Sequence, residues 1–464
     1  MAIFNVINFT QLEGALRMEA EFYKPDDLIM LNKLRSLGSK ELGNYCIFIK
    51  KGIFDLPPSY YTSDGIPLIR TTEIKSMIAD LSSVARIPFS IHSFHLKTEL
   101  EAKDIVFTKI GANIGDISIL PSTEKVYNFS QNVAGAKIDR KKIMPEYLVC
   151  FLSTKYGRFQ IKRIQMLSGQ GKLELVDIKK ILILPASYEL QKNIADIYNL
   201  AENFLVLAKE QYVQAEQLLL SELGLHDWKP RHTLTYVRSF SQVAKASRMD
   251  AEHFHPKYKE MFDRLPSNVY LQLLGKITLY TKGIEVGSSA YTESGIPFLR
   301  VSNLSKHGIV DDTVNFISNE LYNVLREKYE PQQGEILLSK DATPGIAYFL
   351  DESVQGIIAS GILRLSLIED IPPYYLELVL NSIFVQLQIE QSVGGSIIKH
   401  WKPSQVQKTW IPRLLADREK EISALVQQSH AARREAKTLL EKAKRAVEIA
   451  IEEGEERAME YLNR

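Results

Sequence analysis

The sequence predicts an α+β protein made of two tandem domains, each followed by a long α-helix. Three observations indicate this: one unit is written twice, each copy mixes strand-like and helical patterns, and each copy closes on a long helical pattern with a narrow apolar seam. The length of 464 residues and the hydrophobic fraction of 45% provide for several buried cores, which excludes a small disulfide scaffold and a disordered chain.

The repeat is visible in gapless alignments. Residues 4–25 match residues 235–256 with nine identities in 22 positions, and residues 59–70 match residues 289–300 with seven identities in 12. The offsets of 231 and 230 residues are almost exactly half of the chain length. The chain is therefore a two-copy tandem, because a solenoid needs at least three short repeats.

The elements follow one another in the same order in both copies. Runs of β-branched and apolar residues at 104–108, 117–120 and 181–184 predict strands, while 147–159 and 374–389 predict short helices. Gly224 and Pro230 end the first copy. We therefore expect a first domain at 1–185, a helix at 186–224, a linker at 225–234, a second domain at 235–412 and a second helix at 413–464.

The two long helices are predicted to pair with each other. Their apolar residues follow the alternating spacing of four and three that is typical of an a/d seam, with large side chains in the first helix and mostly alanine in the second. Large side chains on one helix that face small ones on the other allow the two helices to approach closely. The alternative is that each helix packs on its own domain. The expected pairing residues are Leu190, Ile194, Ile197, Phe204, Ile422, Leu425, Ala436 and Leu439.

Motifs of several enzyme classes are absent from the sequence. It has no G-x-x-x-x-G-K-[ST] phosphate loop and no N-P-P-[FY] methyltransferase motif, since Asp370–Tyr374 carries an inserted isoleucine. Two distant cysteines, Cys46 and Cys150, exclude a disulfide framework, and we expect no metal site. The N-terminus lacks a secretory pattern and no long apolar run occurs, so we expect a soluble cytoplasmic protein.

The positive signal is local basic charge. The whole chain carries a formal charge of only +1, yet residues 137–180 contain 11 basic and four acidic residues. The matching residues 364–413 contain five basic and four acidic residues. The first stretch is a plausible phosphate-contact surface, and a merely solvated face is the alternative.

The sequence resembles the specificity subunit of Type I restriction-modification systems. The resemblance rests on Gly65–Arg70 and Gly295–Arg300, both Gly-Ile-Pro-x-x-Arg, on the phrases at 103–107 and 334–338, and on the Pro-x-Tyr-Leu segments, all in the same order in both copies. It implies two target-recognition domains that each read one half of a split DNA site. It also implies that the long helices form an antiparallel pair that sets the spacer.

The resemblance also implies partners. These are two methyltransferase subunits carrying S-adenosylmethionine, endonuclease/translocase subunits in a system that cleaves, and double-stranded DNA, while this chain itself holds no cofactor and performs no catalysis. Three alternatives stay open: a fused or degenerate methyltransferase, a stand-alone tandem DNA-binding regulator, and the specificity subunit of a related Type II methyltransferase/nuclease complex.

The candidate DNA-binding residues lie at matching places in the two copies. Arg70 and Arg300 follow the Ile-Pro runs and are candidates either for DNA or for structural ion pairs, whereas Lys109 and Lys340 precede glycine-containing turns and are candidates for phosphate contacts. Thr71, Thr72, Ser302 and Asn303 are candidates for base edges or phosphates, and Lys172 and Lys399 close small flexible loops.

Overall fold

The computed structural model describes residues 6–9, 12, 18–165, 171–231, 233–310, 314–393 and 399–463. The chain divides into two compact units, each described by itself below. The first unit comprises Met1–Val206 with Arg433–Arg464, and the second unit comprises Leu207–Ala432.

The first copy of the repeat contains ten strands and six α-helices among its described residues. The helices are α1 (Pro25–Ser36), α2 (Phe89–Phe94), α3 (Pro145–Ser153), α4 (Lys155–Ile164), α5 (Leu175–Lys179) and α6 (Tyr188–Glu222). The strands are β1 (Lys40–Glu41), β2 (Cys46–Lys51), β3 (Ile66–Ile69), β4 (Ala85–Ile87), β5 (Leu100–Glu101), β6 (Ile105–Thr108), β7 (Ile117–Ile119), β8 (Val126–Phe129), β9 (Val133–Ile138) and β10 (Leu182–Ile183).

Two four-stranded sheets form the centre of the first unit. One is antiparallel, in the order β2–β9–β6–β7, and the other has the order β4–β3–β8–β5 with β3 and β8 parallel. Val106 and Val133 of the first sheet share a buried cluster with Ile69 and Phe129 of the second sheet, so the two sheets pack on each other. The alternating residue Phe107 joins the larger core that contains α3 and α6.

The second copy continues the numbering. Its helices, with the two that follow it, are α7 (Phe240–Ala246), α8 (Pro256–Asp263), α9 (Leu274–Ile277), α10 (Asn319–Tyr329), α11 (Pro373–Asn381), α12 (Ile383–Val393), α13 (Pro403–Val406), α14 (Ala416–Glu452) and α15 (Glu455–Leu462). Its strands are β11 (Tyr270–Leu273), β12 (Thr278–Lys282), β13 (Tyr291–Thr292), β14 (Ile296–Leu299), β15 (Leu304–Ser305), β16 (Gly308–Ile309), β17 (Asn315–Ile317), β18 (Ile336–Ser339), β19 (Asp341–Ala342), β20 (Ala347–Phe349), β21 (Ile357–Ile358), β22 (Ile362–Leu367), β23 (Lys399–His400) and β24 (Trp410–Arg413).

The antiparallel sheet of the second unit repeats that of the first, whereas the mixed sheet keeps three matching strands and differs in its edge strand. An antiparallel sheet has the order β12–β22–β18–β20, and the other sheet, β13–β17–β14–β21, again contains one parallel pair, β14 with β21. The second unit adds the short ladders β15–β16 and β19–β23. The repeat in the sequence is therefore a repeat in topology, and this mixed helix and strand architecture confirms the predicted α+β class.

Each short helix predicted at 147–159 and 374–389 is two helices, so those predictions were wrong in detail. The breaks fall at Thr154 and at Ser382, which both have extended backbone. The Thr154 hydroxyl accepts the Gly157 N–H at 3.2 Å and donates to the Phe151 carbonyl at 2.6 Å. A small hydroxyl side chain bonded to the local backbone competes with the helical hydrogen bonds, which ends one helix and caps the next.

The long helices α6 and α14 contribute to the core of both units. In the first unit, Leu190 and Ile194 of α6 share a buried cluster with Ala436 and Ala443 of α14. In the second unit, the later part of α6 and the earlier part of α14 share a cluster that includes Ile422. Ile197, Phe204, Leu425 and Leu439 are half-buried beside these clusters.

The region predicted as one second helix, 413–464, contains both α14 and α15. Gly454 separates them with a φ of +99°, a left-handed backbone conformation that glycine adopts without strain. The Ser187 N–H of the first unit donates to the Glu455 carboxylate at 2.9 Å, which holds the start of α15 beside the start of α6.

Candidate nucleic-acid interface

The turn after β3 places Arg70 against a buried carboxylate. The Arg70 backbone N–H donates to Glu73 Oε2 at 2.7 Å, and the guanidinium donates to Glu73 Oε1, also at 2.7 Å. The hydrogen bond to Glu73 raises the pKa of Arg70. Thr72 donates to the same carboxylate at 2.8 Å. Arg70 thus forms the structural ion pair that was its alternative interpretation, and its side chain stays about one-third exposed, at 32%.

The matching turn after β14 uses an amide in place of the carboxylate. The Arg300 N–H donates to Asn303 Oδ1 at 3.0 Å, and Asn303 Nδ2 donates to the Val310 carbonyl at 3.2 Å. Asn303 is buried and both ends of its amide bond within the domain. It therefore holds the turn in shape, and this burial does not favour the contact with a base edge or a phosphate for which Asn303 is a candidate. Ser302 is exposed beside it.

Lys109 directly follows β6, and most of its side chain is buried. Only 8% of its surface is exposed, and among the described residues its ammonium has no ion-pair partner. Its backbone is held on both sides, since its N–H donates to the Asn132 carbonyl at 2.8 Å and its carbonyl accepts the Leu173 N–H at 3.0 Å. Thr71 lies next to the same turn, about 3.8 Å from the position of a Cβ on Gly111.

Two further lysines influence the pKa of Lys109 through their positive charge. Burial lowers the pKa of Lys109, and the positive charges of Lys51 and Lys172 lower it further, while Glu174 opposes them. Lys172 itself pairs with Glu174 at 2.6 Å. We call Lys51, Lys109 and Lys172 the lysine cluster. It concentrates positive charge around an ammonium that has no ion-pair partner in the described part of the chain, which is the electrostatic requirement of an anion site.

Lys51 was missed in the sequence because it lies outside the basic stretch 137–180. A signal was present, since Lys51-Gly52 and Lys282-Gly283 occupy matching positions in the two copies. A Cβ on either glycine would lie 2.2 Å from a backbone carbonyl oxygen, of Phe129 or of Ala359, so both positions require glycine. The close approach fixes the end of strand β2 that carries Lys51.

The second unit builds the same turn with different charges. Lys340 is equally buried, and its carbonyl accepts the Trp401 N–H at 2.8 Å, as the Lys109 carbonyl accepts from Leu173. However, the Lys340 ammonium is ion-paired with Asp341, which also contacts His400 Nδ1 at 2.8 Å. Burial alone would raise the pKa of Asp341, but the hydrogen bonds from Lys340 and His400 lower it.

Lys399 lies on β23, opposite Ala342 in the β19–β23 ladder, and its side chain is exposed. The ladder brings Lys399 to the same turn as Lys340 and Asp341. The small loops that precede Lys172 and Lys399 contain residues 166–170 and 394–398, which lie outside the described residues.

The basic stretch 137–180 does not form one unpaired surface. It runs through β9, α3, α4 and α5, and many of its cations are used in ion pairs within the first unit. These pairs are Lys137–Glu101 at 2.8 Å, Lys142–Asp139 at 3.3 Å, Lys155–Glu452 at 2.5 Å and Arg158–Asp116 at 3.7 Å. The excess charge in the sequence thus overstates the charge available to a ligand.

Within the described ranges, no group of three or more His, Cys, Asp or Glu side chains is placed to hold a metal ion. Burial raises the pKa of the Cys46 thiol to about 12, and burial also raises the pKa of Cys150. Every helix in the described part of the chain is too short or too polar to cross a membrane.

Comparison with known proteins identifies a DNA-recognition domain. Residues 58–217 match the family model of the Type I restriction modification DNA specificity domain. Over these residues, the match confirms the resemblance predicted from the sequence and the DNA-recognition function that goes with it. No curated protein matches the chain.

Several solved structures are similar to the chain at low sequence identity. The S subunit of a Type I restriction-modification system from M. genitalium is 11% identical, with a TM-score of 0.38, and the alignment covers 91% of this chain and 95% of that one. A chain solved to describe complex assembly and conformational transition of the type I R-M system is 16% identical, with a TM-score of 0.29 and coverages of 90% and 97%. The HsdS subunit from Thermoanaerobacter tengcongensis is 15% identical, with a TM-score of 0.28 and coverages of 90% and 96%.

Proposed function

We propose that this chain, which carries a Type I restriction modification DNA specificity domain at residues 58–217, is the non-catalytic DNA-recognition subunit of a Type I restriction-modification complex. The family match is the observation that carries the proposal. The repeated topology supports a second recognition domain in the other copy, so each unit reads one half of a bipartite DNA target. The domain limits proposed are 1–185 and 235–412, with a linker at 225–234.

In the first unit, the lysine cluster contacts the DNA backbone. Lys109 is the central residue, because a lysine that is mostly buried and has no counterion among the described residues gains most from a phosphate oxygen. Thr71, which lies next to Gly111 of the same turn, and Thr72 contact bases or phosphates. Arg70 keeps its bond to Glu73, and the exposed part of its side chain offers further N–H groups to DNA.

In the second unit, Lys340, Lys399, Arg300 and Ser302 occupy the matching surface, with Asn303 as the residue that holds the turn. The pairing of Lys340 with Asp341 reduces its net charge. The Asp341 carboxylate repels a phosphate, but it accepts a hydrogen bond from a base amino group such as N4 of cytosine. The second unit thus depends less on phosphate contacts than the first.

The long helices pair as an antiparallel coiled coil, 186–224 with 413–464, that sets the spacer between the half-sites. Two separate observations support this. The early part of α6 shares a core with the late part of α14 in the first unit, and the late part of α6 shares a core with the early part of α14 in the second unit. The Ser429 hydroxyl also donates to the Ala208 carbonyl at 2.6 Å. Alanine at Ala436 and Ala443 allows close approach.

The partners follow from this function. Two methyltransferase subunits bind the chain and carry S-adenosylmethionine, and a system that cleaves adds endonuclease/translocase subunits. The chain supplies the choice of site and the methyltransferase subunits supply the chemistry.

The test is reconstitution with the methyltransferase subunit of the same restriction-modification system. We expect no methyl transfer by the isolated chain with S-adenosylmethionine, and methylation at one bipartite motif when the two are mixed, mapped by methylation-sensitive sequencing. Methyl transfer by the chain alone would contradict the proposal. Specific DNA binding without any effect on methylation would favour a stand-alone regulator.

A further inference from the structure

The segment that opens the second copy, 233–256, is ordered but contributes nothing to a core. Among its described residues, every side chain is exposed or half-buried. It nevertheless contains a defined helix, α7, with a capping box in which Ser239 and Gln242 bond each other's backbone N–H. A segment that is shaped in this way without a buried side chain is unusual in a domain of this size.

Polar contacts attach this segment to α12. The Arg248 guanidinium donates to the carbonyls of Gln391 at 3.1 Å and Ser392 at 2.8 Å, and His253 Nδ1 lies 2.9 Å from the Gln391 carbonyl. Arg238 donates to the Phe254 carbonyl at 2.7 Å, which ties the two ends of the segment together. The attachment is polar, so the apolar side chains stay available.

Three large apolar residues are identical in the two copies and are exposed in both. Val237, Phe240 and Met249 are 91%, 83% and 88% exposed, and their counterparts Val6, Phe9 and Met18 are 88%, 68% and 76% exposed. Exposure of large apolar side chains to water is unfavourable, and recurring exposure of this kind marks interaction surfaces.

Packing within the chain accounts for other identities in this segment but not for these three. Gln242 caps a helix, Arg248 makes the attachment to α12, and Glu252 accepts from Tyr258 Oη at 2.7 Å and from Lys257 Nζ at 3.0 Å. Among the described contacts, Val237, Phe240 and Met249 have no such explanation. Two equal sets of exposed apolar residues, one in each copy, fit two equal partners.

The charge of these segments favours protein over DNA as the partner. Residues 235–256 contain three basic and two acidic residues, and residues 4–25 contain two basic and three acidic residues. A surface that binds the phosphate backbone carries an excess of Lys and Arg, whereas the centre of a protein interface is apolar and depleted of charge.

We propose that these residues form two docking sites, Val6/Phe9/Met18 and Val237/Phe240/Met249, each for one copy of the methyltransferase subunit. The inference rests on the proposed function, which supplies a partner present twice, and adds the surface that the partner occupies. The complementary surface on the methyltransferase subunit is apolar and the same in both copies.

The experiment uses the full chain with its purified methyltransferase subunit. One variant replaces Val237, Phe240 and Met249 with serine, and a matched variant replaces Val6, Phe9 and Met18 with serine. The control replaces Leu279, Val324 and Ile368 with serine, three apolar residues of the second unit that are 59%, 77% and 52% exposed outside the segment. Light scattering after size-exclusion chromatography at micromolar concentration gives the number of methyltransferase subunits on each chain.

We expect two methyltransferase subunits on the parent and the control, one on each docking variant, and none on the combined variant. Circular dichroism and melting temperature establish that all variants fold. The combined variant carries all six serine substitutions, and two methyltransferase subunits on its folded chain overturn the inference. The inference is also overturned if the docking variants lose duplex DNA binding or self-association while the number of bound methyltransferase subunits stays the same. If the parent itself binds no methyltransferase subunit, the proposed function has failed. If the parent binds two methyltransferase subunits and the docking variants do so as well, the docking sites alone have failed.

Discussion

The two buried lysines, Lys109 and Lys340, occupy the same turn in the two units with opposite electrostatic surroundings. Both are 8% exposed, and the carbonyl of each accepts a backbone N–H, from Leu173 in the first unit and from Trp401 in the second. Lys109 is flanked by Lys51 and Lys172, whereas Lys340 is neutralised by Asp341, which His400 also contacts. The repeat therefore conserves the frame of the turn and varies the charge within it, which separates folding from recognition.

The strongest test of this separation exchanges a whole unit. Replacing residues 235–412 with the matching unit of a relative is expected to change one half of the methylated motif completely and to leave the other half unchanged, because each unit has its own sheets and core. Methylation-sensitive sequencing of a host carrying the chimera gives the motif. A motif altered in both halves would mean that the units do not recognise DNA independently.

A second test leaves both turns intact and changes only the helices. Inserting four residues into one long helix adds about 6 Å at ~1.5 Å per residue, which should lengthen the permitted spacer by one or two base pairs at ~3.4 Å each. Both half-site sequences should stay as in the parent. An unchanged spacer in a folded and active insertion variant would contradict the role of the helices as a ruler.

The contrast between the lysines predicts unequal effects of their removal. Lys109→Ala should lower the affinity of the complex for its DNA site by roughly tenfold and reduce the slope of log K against log salt by ~0.9, the loss of one phosphate contact. Lys340→Ala should have a smaller effect, because Asp341 already pairs with that charge. Fluorescence anisotropy between 50 and 200 mM salt measures both, with the exposed Lys259→Ala as control. Equal slopes for the two variants would remove the distinction between the units.

The alanine seam offers a comparison between large and small side chains in the helices. Ala436 is fully buried in the core of the first unit, so Ala436→Trp should overpack this core and destabilise the chain by about 1–3 kcal/mol. Ala424→Trp in the same helix is the control, because that alanine is exposed. Denaturant unfolding measures the free energy of unfolding. An Ala436→Trp chain as stable as the parent would show that tryptophan fits this core without overpacking it.

The smallest expected effect comes from moving one carboxylate between the turns. Asp341→Asn should free Lys340 and raise affinity severalfold at low salt, with a steeper salt dependence, while Ile110→Asp should place a carboxylate beside Lys109 and do the reverse. Asp341 is held ionised by its partners, so the parent should keep its behaviour down to mildly acidic pH. The same anisotropy titration reports both variants, and a fall in affinity for Asp341→Asn would indicate that Asp341 itself reads a base.

The residues that the sequence identified as candidates have taken different roles. Lys109 and Lys340 lie in matching turns, as the alignment of the copies predicts, because the same local pattern folds in the same way twice. Asn303 was chosen for its polarity, but it is buried and holds a turn. Arg70 is occupied by Glu73. Residue type alone does not distinguish a side chain that faces DNA from one that supports the turn beneath it.

The sequence by itself determined the two-copy organisation, the α+β class and the two long helices, because these depend on repetition and periodicity along the chain. Only the tertiary structure brought Lys51 next to Lys109 and His400 to Asp341, since strand pairing and loop closure join residues that are about 60 positions apart in each case. It also decided which polar groups are buried and which are paired. Those two properties depend on all the elements that surround a side chain, and they distinguish the first unit from the second.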